Sequence, residues 1–507
     1  MRNLFKLLFR RVVIVSLAIV LQLAFVVLCM ARVQEYGRWV AIGMQLLSWV
    51  LVISLMFRRE NPSYKMAWIV LILAFPVAGL TFYLMLGGQR LSKKERAALD
   101  QKRAFVSSLL TQEPKTLAEL ESREDSAFIH ARATLCSSGC PVYRNTAVTY
   151  FPDAEPAWRA MLEDLERAQK SIFLEYFIVQ EGRMWNAVLD ILKRKAGQGV
   201  DVRFLYDDFG CITKLPMHYA RDMAAFGIQA RAFNPFVPVI SKRLNNRDHR
   251  KLLIIDGRVG YTGGFNLADE YINETQPYGV WKDSGVRLEG DAVWTMTVLF
   301  LSMWEKETPD SGTARQLRPE VRTCSGGYVQ PFADSPLDHE PTAAELYQNL
   351  IDCARKRVWI MSPYLIPDDR MTDCLCSAAK AGVDVRIITP GIPDKKIVYA
   401  VTRANYAALL QSGVRIFVFT PGFIHAKVCL SDDRYALVGT MNLDFRSLYL
   451  NYEDGVYLAD DASLSDIEAD FTQTFAGCRE VSYQDCRQTR LPTRILQAVL
   501  RMFSPLM

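Results

Sequence analysis

The 507-residue sequence predicts an α/β protein of two pseudo-repeated units, each with a mixed sheet, packed face to face and preceded by N-terminal transmembrane helices. Three observations carry that prediction. The stretch HRKLLIID at 249–256 returns as HAKVCLSD at 425–432, with His, Lys and Asp at one spacing. The segments around these stretches recur in the same order and alternate between strand-like and helix-like patterns. Three apolar runs, each about as long as a bilayer crossing, come first.

Those runs occupy 12–31, 39–57 and 67–86 of a membrane anchor assigned to residues 1–104. The first is longer than a signal-peptide core, and more apolar segments follow it, so it reads as an uncleaved anchor. Pro76 and Gly79 fall midway through the third, which is where a kink or re-entrant turn belongs. Basic clusters flank the anchor on both sides, Arg10 and Arg11 before it and Lys93, Lys94 and Arg96 after it. Three crossings would put those clusters on opposite faces, against the positive-inside tendency, so orientation stays open.

The first unit is assigned to 105–308, a linker to 309–326 and the second unit to 327–489. SIFLEYFIV at 171–179 is a strand echoed by VWIMSPYLIPD at 358–368, and a helical stretch follows each. GVDVR then appears at 199 and again at 382, FGIQARAFNP at 226 mirrors SGVRIFVFTP at 412, and the His–Lys–Asp stretch closes each unit. The gap from GVDVR to the histidine is 50 residues in the first unit and 43 in the second. An insert near FVPVISKRLNN, 236–246, accounts for the difference. The last segment, 490–507, sets Arg494, Gln497 and Arg501 against Ile495, Leu496, Val499, Met502 and Phe503, a basic amphipathic helix.

Composition narrows the function classes. The net charge of +5 is too small and too dispersed for a dedicated nucleic-acid binder. The cysteines, including Cys136, Cys140, Cys374 and Cys376, lack the paired spacing of a zinc site or a disulfide framework. No HExxH and no P-loop is present, so no metal site and no cofactor is expected.

Only five histidines occur, His130, His218, His249, His339 and His425. Composition alone gives a histidine Lys at +2 and Asp at +7 with odds of roughly one in a few hundred. In a strand, residues two apart share a face, so His249 points with Lys251 and His425 with Lys427. A lone His-x-Lys is usually an edge residue. Two copies, each followed by Gly, a small residue and Asn (Gly263, Gly264, Asn266; Gly439, Thr440, Asn442), are not explained that way.

Two such half-sites brought together suit a phosphodiester. Lys251 and Lys427 hold the phosphate charge, and the Asn266 and Asn442 amides add donors. One histidine attacks phosphorus while the other protonates the leaving alcohol, so their pKa values must be split. Asp283 in WKDSGV and Glu453 in NYEDGV stand at matching places after the histidines and are nominated to orient the rings. Asp256 and Asp432, the motif aspartates counted with the catalytic set, sit at strand ends and brace turn and loop.

These residues resemble the phospholipase D superfamily, whose signature HxKxxxxDxxxxxxG(S/G/T) the chain matches twice, with Thr440 where Ser is common. More narrowly the chain is similar to bacterial cardiolipin synthases, in RRENPSYKMAWIVLILAFPVAGLTFYLMLG (58–87), FLEYFIV, GGFNLADEY (263–271) and the C-terminal segment. NRDHRKLLIID and the extra run at 12–31 depart from the family's usual form. The resemblance implies metal-independent transfer of a phosphatidyl group between two phosphatidylglycerol molecules, giving cardiolipin and glycerol. It implies a cell-membrane, multi-pass protein, with His249 as the covalent nucleophile and His425 as acid then base. The partners so implied are phospholipids and the bilayer, with no nucleic acid. Two rival readings stand beside it: a phosphodiester hydrolase using the same residues, either a lipase or a membrane-tethered nuclease, and a membrane scaffold with a dead site.

Overall fold

The computed structural model describes residues 38–58, 60–87, 92–235, 245–304, 311–318, 326–338, 340–488 and 491–506, with isolated positions between 20 and 28. Most of the apolar run at 12–31, most of the insert at 236–246, His339 and most of the linker lie outside the described residues.

Two mixed sheets form the centre. The first, of seven strands, runs in the order Thr146–Phe151, Gly285–Gly290, Val259–Gly263, Lys251–Ile255, Ser171–Tyr176, Asp201–Asp207, Gln229–Phe233. The second repeats it as Tyr328–Asp334, Glu453–Ala459, Tyr435–Gly439, Val428–Ser431, Arg357–Met361, Asp384–Pro390, Arg415–Phe419, and adds Cys478–Val481 at the edge. The last three shared strands are parallel and the others antiparallel in both sheets. This is the duplicated α/β architecture that the sequence predicts.

Helices cover the sheets as their periodicity requires. Ala154–Arg167 buries Ala157, Trp158, Met161 and Leu165 on one stripe and leaves its charged face to solvent. Val293–Trp304 is mostly apolar and is buried all round but for Met303, filling the space between units. Strands Lys251–Ile255 and Val428–Ser431 are buried along their whole length, so they read as unbroken apolar runs.

The two units are joined by backbone as well as by core. Gly422–Ile424 pairs in parallel with Val280–Lys282 of the first unit, and Asp248 bridges Tyr452. Arg250, on the strand face opposite His249 and Lys251, reaches the carbonyls of Glu453 and Asp334, each at 3.3 Å.

The N-terminal region differs from the expectation. The run at 39–57 is the helix Arg38–Met56, but the run at 67–86 is split. Pro62–Ala74 ends at Phe75, Pro76–Phe82 restarts, and a π-helical turn Tyr83–Gly87 follows. Pro76 has no N–H to donate and its ring crowds the preceding turn, so the helix breaks there. A Cβ on Gly79 would stand 2.5 Å from the Ile72 Cα, and glycine lets the two pieces fold against each other. Among the described residues no helix is long and apolar enough to cross a membrane. Instead Tyr64, Trp68 and Ile72 pack against Phe445 and Leu450 of the second unit, with the Tyr64 and Phe445 rings stacked at 6.0 Å.

Candidate active site

Each motif histidine stands just before its buried strand, and its backbone is fixed by the other unit. The His249 N–H donates to the Tyr452 carbonyl at 2.9 Å, and the His425 N–H donates to the Lys282 carbonyl at 2.6 Å. The next residue in each donated-to strand is the carboxylate, so the side chains meet as well. His249 Nδ1 bonds Glu453 Oε2 at 2.8 Å and His425 Nδ1 bonds Asp283 Oδ2 at 2.7 Å. The pairing therefore crosses: each carboxylate serves the histidine of the opposite unit. With the Nδ1–H given to a carboxylate, Nε2 is left with its lone pair for chemistry.

Lys251 and Lys427 lie on the same strand faces as the histidines and are 1 % exposed. Lys251 Nζ donates to the His249 carbonyl at 2.7 Å, and Lys427 Nζ is held by the His425 carbonyl. Burial lowers Lys251 to about 8 and Lys427 to about 7, against the pull of Glu453 and Asp283 respectively. Burial and the lysine charges hold His249 well below 6.5 and bring His425 to about 4. Lys427 is among the charges acting on His249 and Lys251 among those acting on His425, so both half-sites share one field.

The two carboxylates are not equivalent. Burial pushes Glu453 up to about 7, despite Lys251 and hydrogen bonds from Thr440 Oγ1 at 2.6 Å and Asn451 Nδ2 at 3.2 Å. Burial opposes ionisation of Asp283 too, but His425 and Lys427 outweigh it and hold that carboxyl below its ordinary value. The Ser284 N–H adds a bond to Asp283 Oδ1 at 2.9 Å.

The small motif residues are explained by close approach. A Cβ on Gly264 would fall 1.9 Å from Asp283 Oδ1, and one on Gly439 would fall 2.5 Å from the Asp454 carbonyl. Aromatic rings pack against the histidines: Phe177 stands 5.0 Å from His249, and Trp281 and Tyr271 stand 5.2 and 5.6 Å from His425.

Asn266 falls elsewhere than expected, whereas Asp256 and Asp432 brace turn and loop, as their places at strand ends imply. Asp256 and Asp432 are not at the reacting centre. They follow the far ends of the strands, about 16 Å along from the lysines at strand spacing. There Asp256 accepts from the N–H groups of Gln169, Lys170 and Ser171, and Asp432 from those of Arg355, Lys356 and Arg357, at 2.7–3.0 Å. Asn266 is committed to the fold: its Oδ1 accepts from the Ile178 N–H and its Nδ2 donates to the Tyr271 hydroxyl. Asn442, by contrast, has no partner for its buried Oδ1 among the described residues. Asn451 and the aromatic rings lie outside the motif residues of the sequence, and Thr440, expected only as a small motif residue, donates to Glu453. Asn451, two positions before Glu453, was the one a strand-face argument could have found.

Among the described residues no group of three His, Cys, Asp or Glu is placed to hold a metal ion. The buried positive charge beside the two histidines comes from Lys251 and Lys427.

Two histidine–carboxylate pairs crossed between duplicated sheets, with a lysine beside each, make up the candidate active site. Comparison with known proteins narrows this. The family model described as "Cardiolipin synthase, PLD-like domain" matches residues 161–304 and 347–475, and a phospholipase D-nuclease N-terminal model matches 46–88. A cardiolipin synthase of Geobacillus sp. (strain WCH70) is 34% identical over 473 residues, 90% of this chain and 92% of the relative. That of Alkalihalophilus pseudofirmus is 32% identical over 462 residues, 90% of this chain and 91% of the relative. The crystal structure of a phosphatidylserine synthase from Haemophilus influenzae covers 74% of this chain and 97% of its own, at TM-score 0.56 and 14% identity, a likeness of fold. The chain belongs to the cardiolipin synthase family of the phospholipase D superfamily, and it is a phosphatidyltransferase.

Proposed function

We propose that the protein makes cardiolipin by transferring the phosphatidyl group of one phosphatidylglycerol to the hydroxyl of another, releasing glycerol. The observation that carries the reading is the crossed pair of dyads, in which each histidine is bonded to a carboxylate of the other unit and has a buried lysine beside it. In the first half, His249 Nε2 attacks phosphorus, the bond to the glycerol oxygen breaks, and His425 supplies the proton that leaves with glycerol. In the second half, the incoming lipid hydroxyl gives its proton to His425, its oxygen bonds phosphorus, and the bond to His249 breaks. Lys251, Lys427 and Asn442 meet the charge that develops on the equatorial oxygens.

The two carboxylates support this division of roles. Asp283, held ionised, stabilises an imidazolium on His425, whereas Glu453 near 7 favours a neutral, nucleophilic His249. In the resting site both imidazoles are neutral at pH 7, and an entering phosphate anion offsets the lysine charges that depress His425. Membrane residence belongs to the same reading. The exposed Trp39, Leu46, Val50 and Ile53 of helix Arg38–Met56 give it an apolar surface suited to lipid.

Purified protein given labelled phosphatidylglycerol should yield cardiolipin and glycerol in equal amounts. Phosphatidic acid as the sole lipid product would replace this reading with hydrolysis by the same residues.

A further inference from the structure

A second groove, of about 650 Å³, lies between the helices Pro62–Ala74, Lys396–Gln411 and Leu491–Phe503. Neither catalytic histidine nor either catalytic lysine lines it. Its walls carry Arg403, Arg487, Arg494 and Arg501 against two carboxylates, Asp368 and Asp369. Those acids are engaged: Asp368 accepts from Asn61 Nδ2 at 2.8 Å and from the Tyr449 hydroxyl at 2.7 Å, and Asp369 accepts from Ser63 Oγ at 3.3 Å. Arg487, Arg494 and Arg501 make no ion pair among the described residues. The groove is therefore a net cationic surface with free guanidinium groups.

Its rim is apolar. Arg494 and Arg501, seven apart, share one face of the C-terminal helix. On the adjoining face Leu491, Ile495, Leu496 and Val499 are 66%, 59%, 55% and 46% exposed, and Met66 of the neighbouring helix is 58% exposed. A contiguous apolar strip of this kind marks an interaction surface. Guanidinium groups beside such a strip match a ligand that is anionic at one end and long and apolar at the other. A free phosphate would leave the strip uncovered, and a zwitterionic headgroup would bring its own cation among the arginines.

We infer that this groove binds an anionic phospholipid, with its phosphodiester among Arg487, Arg494 and Arg501 and an acyl chain along the C-terminal helix. The site is separate from the transfer reaction and does not rest on it. It adjoins the reaction centre through the helix Phe445–Tyr449, which lines the groove at Phe445, bonds Asp368 at Tyr449 and follows Asn442 in the chain.

The test uses the full chain in neutral detergent micelles with phosphatidylglycerol carrying a photoreactive acyl chain, and maps the label by mass spectrometry. Label is expected within 491–506. A basic residue near an anionic lipid contributes roughly fivefold in binding, so R494Q/R501Q should weaken half-saturation about 25-fold, with R494K/R501K close to the native chain. Unlabelled phosphatidylglycerol should displace the probe, and phosphatidylcholine and inorganic phosphate should not. Undiminished labelling of R494Q/R501Q, loss in R494K/R501K equal to that in R494Q/R501Q, or displacement by phosphatidylcholine or inorganic phosphate would overturn the inference. Cardiolipin formation measured in the same samples separates this result from the transfer reading, because labelling at 491–506 stands whether or not product forms.

Discussion

Lys427 is lowered to about 7 and Lys251 to about 8 because both ammonium groups are buried, yet both must be charged to meet a phosphate. The charged form is present below these values and is lost as pH rises through them. The kcat/KM for phosphatidylglycerol, which reports the free protein, should therefore fall above pH 7 to 8, while kcat should hold to higher pH because bound phosphate restores the lysine charge. K427R keeps its charge throughout, so its alkaline limb should move up to the Lys251 value of about 8 even if the rate is lower. An unchanged limb in K427R would assign the titration to another group. The carboxylates give a second comparison. Both D283N and E453Q should lower kcat by about 10²–10⁴-fold, the scale of losing a ring-orienting carboxylate. Only D283N should recover on a substrate whose leaving group needs no proton. Recovery of E453Q alone would reverse the roles of the two histidines.

The turn aspartates show how a motif residue can be indispensable to an element without touching the reaction. Asp256 and Asp432 adopt φ of 53° and 51° and each collects three backbone N–H groups at the start of a neighbouring central strand. D256A leaves three donors without their acceptor, and a loss of about 2–4 kcal/mol in unfolding free energy is expected. Its KM and kcat per folded molecule should stay near native. A large fall in kcat with native stability would return Asp256 to the reacting centre. Gly264 is the reverse case. G264A puts a methyl group onto Asp283 Oδ1, so it should abolish transfer by displacing the carboxylate that holds His425, with a smaller effect on folding.

Across the two units, the sequence disclosed most of what repeats and little of what crosses. The doubled sheet was legible because a strand buried on both faces reads as a near-continuous apolar run, as in LLII and VCL, and because GVDVR marks the same strand start twice. His249, Lys251, His425 and Lys427 were legible because residues two apart on a strand share a face. The exchange of Asp283 and Glu453 between units was not legible, since spacing along the chain says nothing about which unit a strand end faces. Nor was the commitment of Asn266 to Tyr271, which depends on how the loop at 264–271 folds back. The break in the apolar run at 67–86 was legible at Pro76 and Gly79, but the protein surface beside it was not. Hydropathy counts apolar residues, whereas Pro76 breaks their helix and Phe445 of the second unit offers Tyr64 and Trp68 a protein surface.

That both units act on one phosphorus atom, with His249 bonding it, is tested most directly by trapping the covalent intermediate. Rapid acid-free quenching of H425A, given a phosphatidyl ester with a good leaving group, should leave the phosphatidyl group on His249 by peptide mass spectrometry, and H249A should leave none. An adduct on His425 in H249A, or cardiolipin formed at native rate by either variant, would contradict the account.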